Sequence, residues 1–192
     1  MKRLTMLFLL LATTTAFAQA PTRVRGTIDS LDGDVLSVKS RDGKALKLHL
    51  TPDVQVATTK KASAADFKPG AYVGVTSVKG SDGRLVARRV HALGPQVPQM
   101  HAPWDSIPDS MMTNATLEGT AQVGAGTELT LKNKDGAQKI LVNRQTEYYT
   151  FAPGTRADLK RGETIFTSAR QEGDKLLAQR VTVSKDGVKP PQ

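Results

Sequence analysis

The residues with the most chemistry in them crowd into one short stretch of this chain. Of its five methionines, Met1 and Met6 fall at the extreme N-terminus. The other three, Met100, Met111 and Met112, lie between Gly94 and Asn114. The same stretch holds the only tryptophan, Trp104, and one of three histidines, His101; a second, His91, stands just before it. Thioether and imidazole donors suit Cu(I) or Ag(I), and no cysteine is present to compete with them. His91, Met100, His101, Met111 and Met112 are therefore the candidate metal ligands. The competing reading is mechanical. Met100, Trp104, Ile107, Met111 and Met112 would be the apolar teeth of a packed strap, because methionine fills irregular gaps well. The strap needs no cofactor.

Catalytic patterns are missing. There is no G-x-S-x-G elbow, H-E-x-x-H, P-loop or G-x-G-x-x-G. His49, His91 and His101 have no nearby Ser/Asp pattern, and a cysteine nucleophile is excluded. Asp32, Asp34, Asp42, Asp82, Asp135 and Asp174 sit beside glycines, where turn chemistry accounts for them. A non-enzymatic protein is the expectation.

The elements that must position these residues come in duplicate. Gly26-Thr27 recurs as Gly119-Thr120 and Asp42-Gly43 as Asp135-Gly136, both 93 residues on. Asp66-Phe67-Lys68-Pro69-Gly70 returns as Asp158-Leu159-Lys160-Arg161-Gly162, and Leu85-Val86-Ala87 as Leu176-Leu177-Ala178. Punctuation kept in order over some seventy residues marks a duplicated domain. Within each copy, short alternating segments lie between turn signals; Leu46, Leu48 and Leu50 face one way, Lys47 and His49 the other. Arg41-Asp42-Gly43-Lys44 reads as a hairpin turn. Ser63-Ala64-Ala65-Asp66 reads as a capped helical turn, stopped by Pro69-Gly70. The expected fold is all-β: two tandem, small five-stranded OB-like barrels, each with a short helix after its third strand. The expected layout is a signal peptide over 1–20, an OB-like domain over 22–93, a proline-rich linker over 94–114, a second domain over 115–185 and a disordered tail over 186–192.

Lys2 and Arg3, the apolar run from Leu4 to Leu11, and small residues ending at Ala18 or Ala20 compose a secretory leader. The run is far short of the roughly 20 residues of a membrane span, and no later segment approaches that length. A periplasmic location follows, with no transmembrane segment in the mature chain. Lys and Arg number 27 against 18 Asp and Glu; loss of Lys2 and Arg3 with the leader lowers the net charge from +9 to +7. Such a surface meets anionic glycans or lipids by simple attraction. Nucleic acid is not expected as a partner, since few aromatics stand on the strands as stacking platforms.

The soft-donor set resembles that of small periplasmic copper- and silver-binding chaperones, which are OB-type barrels. In that family the ligands project from barrel strands, and here they sit on a connector. A second resemblance rests on His101-Ala102-Pro103-Trp104-Asp105, Met112-Thr113-Asn114-Ala115-Thr116 and Phe151-Ala152-Pro153-Gly154. These stretches are similar to a family of secreted Gram-negative proteins built from a domain of unknown function, type 5666, which implies OB-like repeats and names no activity. Proteins of this kind are often labelled metal transporter permeases, which need several membrane spans. A binding or scaffolding role in the cell envelope is the resulting expectation, with the partner there left open.

Overall fold

Alternating side chains cut by Asp-Gly turns yield twelve strands over residues 21–190, which a computed structural model describes. The leader expected over 1–20 lies outside the described residues. The strands are β1 (Thr22–Asp32), β2 (Val35–Ser40), β3 (Ala45–Lys61), β4 (Tyr72–Lys79), β5 (Leu85–Ala92), β6 (Met100–Trp104), β7 (Ser110–Val123), β8 (Gly126–Asn133), β9 (Gly136–Val142), β10 (Glu147–Pro153), β11 (Thr164–Glu172) and β12 (Lys175–Val183). Among the described residues, no helix is long and apolar enough to cross a membrane.

The hairpins form where the sequence asks for them. Gly43 and Gly83 adopt φ of 84° and 81°, a conformation that costs glycine little and other residues much. The expected short helices are single 3-10 turns, Ala64–Asp66 and Arg156–Asp158. Each has a capping box, Ser63 with Asp66 and Thr155 with Asp158, and neither turn buries a residue. Three residues are too few to set an amphipathic face against a core, so the box closes the turn and the chain then extends.

Strand pairing departs from the layout of one barrel per repeat. β1 pairs β2, β2 pairs β3, β3 runs parallel to β12, β12 pairs β11, and β11 returns to β1. That circuit is a closed five-stranded barrel, with three strands from the first repeat and two from the second. A second circuit runs from β4 to β7, β8 and β9, then parallel to β5 and back to β4. It takes the complementary strands. The two cores are mixed in the same way. One joins Val24, Ile28, Leu36, Val38, Leu48 and Leu50 to Ile165, Ala169, Ala178, Val181 and Val183. The other joins Val73, Val75, Ala87 and Val90 to Ala115, Leu117, Leu129, Leu131, Ile140 and Val142. The repeats are therefore exchanged rather than merely tandem.

The exchange runs through the long β3 and its copy in the second repeat, which is broken into β9 and β10. β3 is 17 residues; its first part lines the first barrel, and its second part pairs antiparallel with β10. In that crossing Tyr149 lies opposite Lys61, Pro153 opposite Ala57, and Thr59 opposite Phe151. Residues 57, 59 and 61 are the copies of 149, 151 and 153, so the pairing is symmetric about Thr59 and Phe151. This is the self-complementary contact of a two-fold dimer, made inside one chain.

Register also revises one sequence match. Val38 lies opposite Ile28, and its copy Leu131 lies opposite Leu117. Ile28 and Leu117 are thus the structural copies, 89 residues apart, and Gly26-Thr27 corresponds to Ala115-Thr116 rather than Gly119-Thr120. The β7–β8 hairpin carries two extra rungs, Gln122 opposite Thr127 and Val123 opposite Gly126, which absorb the difference of four. Gly26 is held by close approach: a Cβ there would stand 2.3 Å from the Lys39 carbonyl oxygen.

The tail expected to be disordered is folded as far as it is described. Lys185 bridges to Val188, Thr59 Oγ1 donates to the Val188 carbonyl, and Pro190 is buried. The Lys185 amide in turn donates to Thr59 Oγ1, so both hydroxyl functions of that threonine are used.

Candidate functional site

The stretch singled out by its residue types is a β-hairpin. β6 pairs antiparallel with the start of β7, so Met100 faces Asn114, Ala102 faces Met112 and Trp104 faces Ser110. Side chains alternate along a strand and opposed residues share a face. Met100, Trp104, Met112 and Asn114 therefore share one face. His101 and Met111 are on the other, where His101 Nδ1 lies 2.9 Å from Thr113 Oγ1.

His91 sits on β5, level with Gly74 on β4, which is level with Asn114 and then Met100. It is on the same face as Met100 but three strand spacings away, roughly 14 Å. The five candidate ligands thus divide three and two between faces; of the three on one face, Met100 and Met112 are diagonal neighbours on adjacent strands and His91 stands apart from them. Among the described residues, no three His, Cys, Asp or Glu side chains gather as a metal set.

His91 is instead a buried neutral ring. It stacks on Tyr149 at 5.0 Å and 5°, with Phe151 edge-on at 5.9 Å. Burial, helped by the charge of Arg89, lowers its pKa to about 4, and burial pushes the Tyr149 phenol up. Gly74 makes room for the ring, since a Cβ there would fall 2.5 Å from it.

The turn after β6 crosses to the first barrel and is gripped there. Arg25 on β1 is 4 % exposed and forks onto Asp105, with Nη1 to Oδ2 at 2.8 Å and Nη2 to Oδ1 at 2.9 Å. Its guanidinium lies 5.0 Å from the Phe166 ring centre and 5.5 Å from that of Trp104. Arg23 lies 4.2 Å from the Trp104 ring centre, within cation–π range. Arg41 donates to the carbonyls of Asp105 and Ser106 at 2.8 and 3.0 Å. Partial burial alone would raise the Asp105 carboxyl, but the hydrogen bonds and charge of Arg25, with Arg23 behind, hold it below the ordinary range. The strap therefore has one end in the β7 ladder and the other locked on β1. Arg25 looked like any polar residue of an alternating strand. Only Asp105 and the aromatics at distant positions reveal its role.

Beneath the strap lies a groove of about 750 Å³ whose walls come from both barrels. Met100, Trp104 and Asn114 face Arg23, Phe166 and Arg180 across it. Asp53 and Gln55 also line it, and Arg180 donates to Gln55 Oε1 at 2.8 Å. Trp104 Nε1 is buried with no hydrogen-bond partner among the described residues. The groove thus offers aromatic surface, two guanidinium groups, amide donors and acceptors, and one carboxylate. That mixture recognises a polar, ring-shaped, anionic molecule better than a wholly apolar one.

Residues 25–91 match the model of a protein family described as a domain of unknown function (DUF5666). The matched span runs from within β1 to within β5, and so covers one repeat rather than one barrel. No curated protein and no solved structure matches the chain.

Proposed function

We propose that this protein is a non-enzymatic binding module of the bacterial envelope, exported by its leader, whose two OB-like barrels are joined by strand exchange. Its ligand site is the groove between them, and its ligand class is an acidic oligosaccharide. The observation that carries this is the groove's shared construction. Arg23 and Trp104 meet where the strap is anchored, by the Arg25–Asp105 fork and by Arg41 on the carbonyls of Asp105 and Ser106. A sugar ring can stack against the Trp104–Phe166 side while Arg23 and Arg180 meet its carboxylate. The positive net charge of the chain adds long-range attraction for a polyanion. A soft-metal role gains no support from the placement of the five candidate ligands.

Trp104 is the only tryptophan, so its fluorescence reports on the groove directly. Titration with a short alginate oligosaccharide should give a saturable change, weakened about tenfold by Arg23→Ala and strongly by added salt. A neutral cello-oligosaccharide binding as tightly as alginate, or no saturable change with either, would refute the assignment.

A further inference from the structure

The two barrels are copies, yet corresponding ends of them are finished differently. At the end of the first barrel, Arg156 reaches from its 3-10 turn to the β1–β2 hairpin. It donates to Asp34 Oδ1 at 2.6 Å and to the Gly33 carbonyl at 3.0 Å. In the second barrel the copy of Arg156 is Ala64. The copy of Asp34 is Thr127, which stands beside Val142 as Asp34 stands beside Leu50. Neither partner of the clamp is present. The longer β7–β8 hairpin stands beside the uncovered end as a wall.

The result is a bowl of about 600 Å³, within the range of about 300–1,000 Å³ usual for small-molecule sites. Its floor is Phe67, Leu129 and Val142, with relative exposures of 9, 7 and 6 %. The copies of these residues in the first barrel, Leu159, Leu36 and Leu50, are at 4, 0 and 4 %. Tyr148 also lines the bowl, its ring centre 5.9 Å from that of Phe67. The only charged residues lining it are Lys68 and Arg144. Both are exposed, and no ion pair engages either among the described residues. No acidic side chain lines it.

We propose that the open end of the second barrel binds the alkyl chain of a single-chain anionic amphiphile, a fatty acid in its simplest form, with Lys68 and Arg144 holding the head group. An apolar floor favours an alkyl chain, a rim of one sign selects the charge at its end, and the volume suits one chain rather than a bilayer patch. This site is on another part of the surface from the groove beneath the strap and stands or falls separately.

The test is calorimetric titration of the purified protein with dodecanoate below its micelle concentration, beside octanoate and dodecyltrimethylammonium. One saturable dodecanoate site is expected, with affinity growing about fourfold per methylene between the two acids. Lys68→Ala/Arg144→Ala should weaken dodecanoate at least about fivefold while not weakening the cationic amphiphile. Ala64→Arg/Thr127→Asp, which installs the first barrel's clamp, should weaken both. Should that variant fold poorly, methyl NMR of the unaltered protein decides, since dodecanoate must shift Leu117, Leu129 and Val142 ahead of Leu36 and Leu50. Absence of saturable binding overturns the proposal. So does equal binding of dodecanoate and the cationic amphiphile, which would mean that Lys68 and Arg144 do not select the head group, and so do shifts spread evenly over both barrels.

Discussion

Where the crossing strand of the first barrel passes its parallel neighbour, Ala57 lies beside Thr182. At the copied position of the second barrel, Tyr149 lies beside His91 and the rings stack. At one end, Arg156 and Asp34 close the first barrel, and Ala64 and Thr127 leave the second open. On β1 the first barrel carries Arg25, the anchor of the strap, where the second carries Asn114, whose amide donates to the Pro98 carbonyl. The strand circuit is nevertheless identical, and its inner faces match, Leu36 with Leu129 and Val181 with Val90. What the two barrels share is the strand circuit and the aliphatics inside it. The crossing, the rims and the outer faces are therefore available to diverge, and that is where the candidate sites lie.

The largest expected effect tests whether the cores are equivalent. Leu36→Ala, at a position with no exposure, should cost about 3 kcal/mol or more, and Leu129→Ala about 1 kcal/mol less, because its site already borders solvent. Both should lower the midpoint of one cooperative unfolding transition, followed by circular dichroism in denaturant, since each barrel holds strands of the other repeat. Two separate transitions would break the picture of exchanged barrels.

Next in size is a pH effect confined to the second barrel. The folded pKa of His91 is about 4, against 6.5 in the unfolded chain. Between these values the unfolded state binds a proton that the folded state does not. The contribution is complete above pH 6.5 and is lost as pH falls toward 4, an upper figure of about 3 kcal/mol. Denaturant midpoints at pH 7 and pH 4.5 should show the loss in the native protein and much less of it in His91→Gln. An unchanged pH slope in the variant would mean other groups drive it.

The smallest effect tests the rims. Arg156→Ala removes an ion pair with side-chain exposures of 39 and 66 %, and should cost less than about 1 kcal/mol. A loss several times larger, read from the same unfolding curves, would mean that Arg156 supports the barrel itself and does not merely cover it.

Much of the fold was legible in the residues. Most strands of each repeat, the Asp-Gly turns, the Ser63–Asp66 capping box and the duplication follow from period-two patterning and local chemistry, and Leu46, Leu48 and Leu50 do share a face; β6, β10 and the second half of β3 do not follow, because Pro103, Pro153 and Pro52 interrupt their pattern. The exchange could not be read this way. Val73 presents the same inward side chain whether its strand completes its own repeat's barrel or the other's, so the pattern is blind to partner choice. The match of Gly26-Thr27 to Gly119-Thr120 misled because the hairpins differ in length by four residues, an even number that preserves the alternation of faces. The soft-donor cluster was visible as composition, but neighbours in sequence point to opposite sides of a strand. Met111 and Met112 therefore lie on opposite faces of β7. Arg25 was invisible because its partners, Asp105 and Trp104, lie some eighty residues away.

Strand exchange also has a consequence in time. β1, β2 and β3 leave the ribosome about a hundred residues ahead of β11 and β12, the strands that close their barrel. The second barrel likewise holds β4 and β5 waiting for β7, β8 and β9. The second core can be complete once β9 has emerged, whereas the first must wait for β12. Folding of the first barrel is thereby deferred past that of the second, and its distant pairings make it the slower of the two to form. The order of the strands thus sets an order of assembly, the second barrel ahead of the first, without help from a partner.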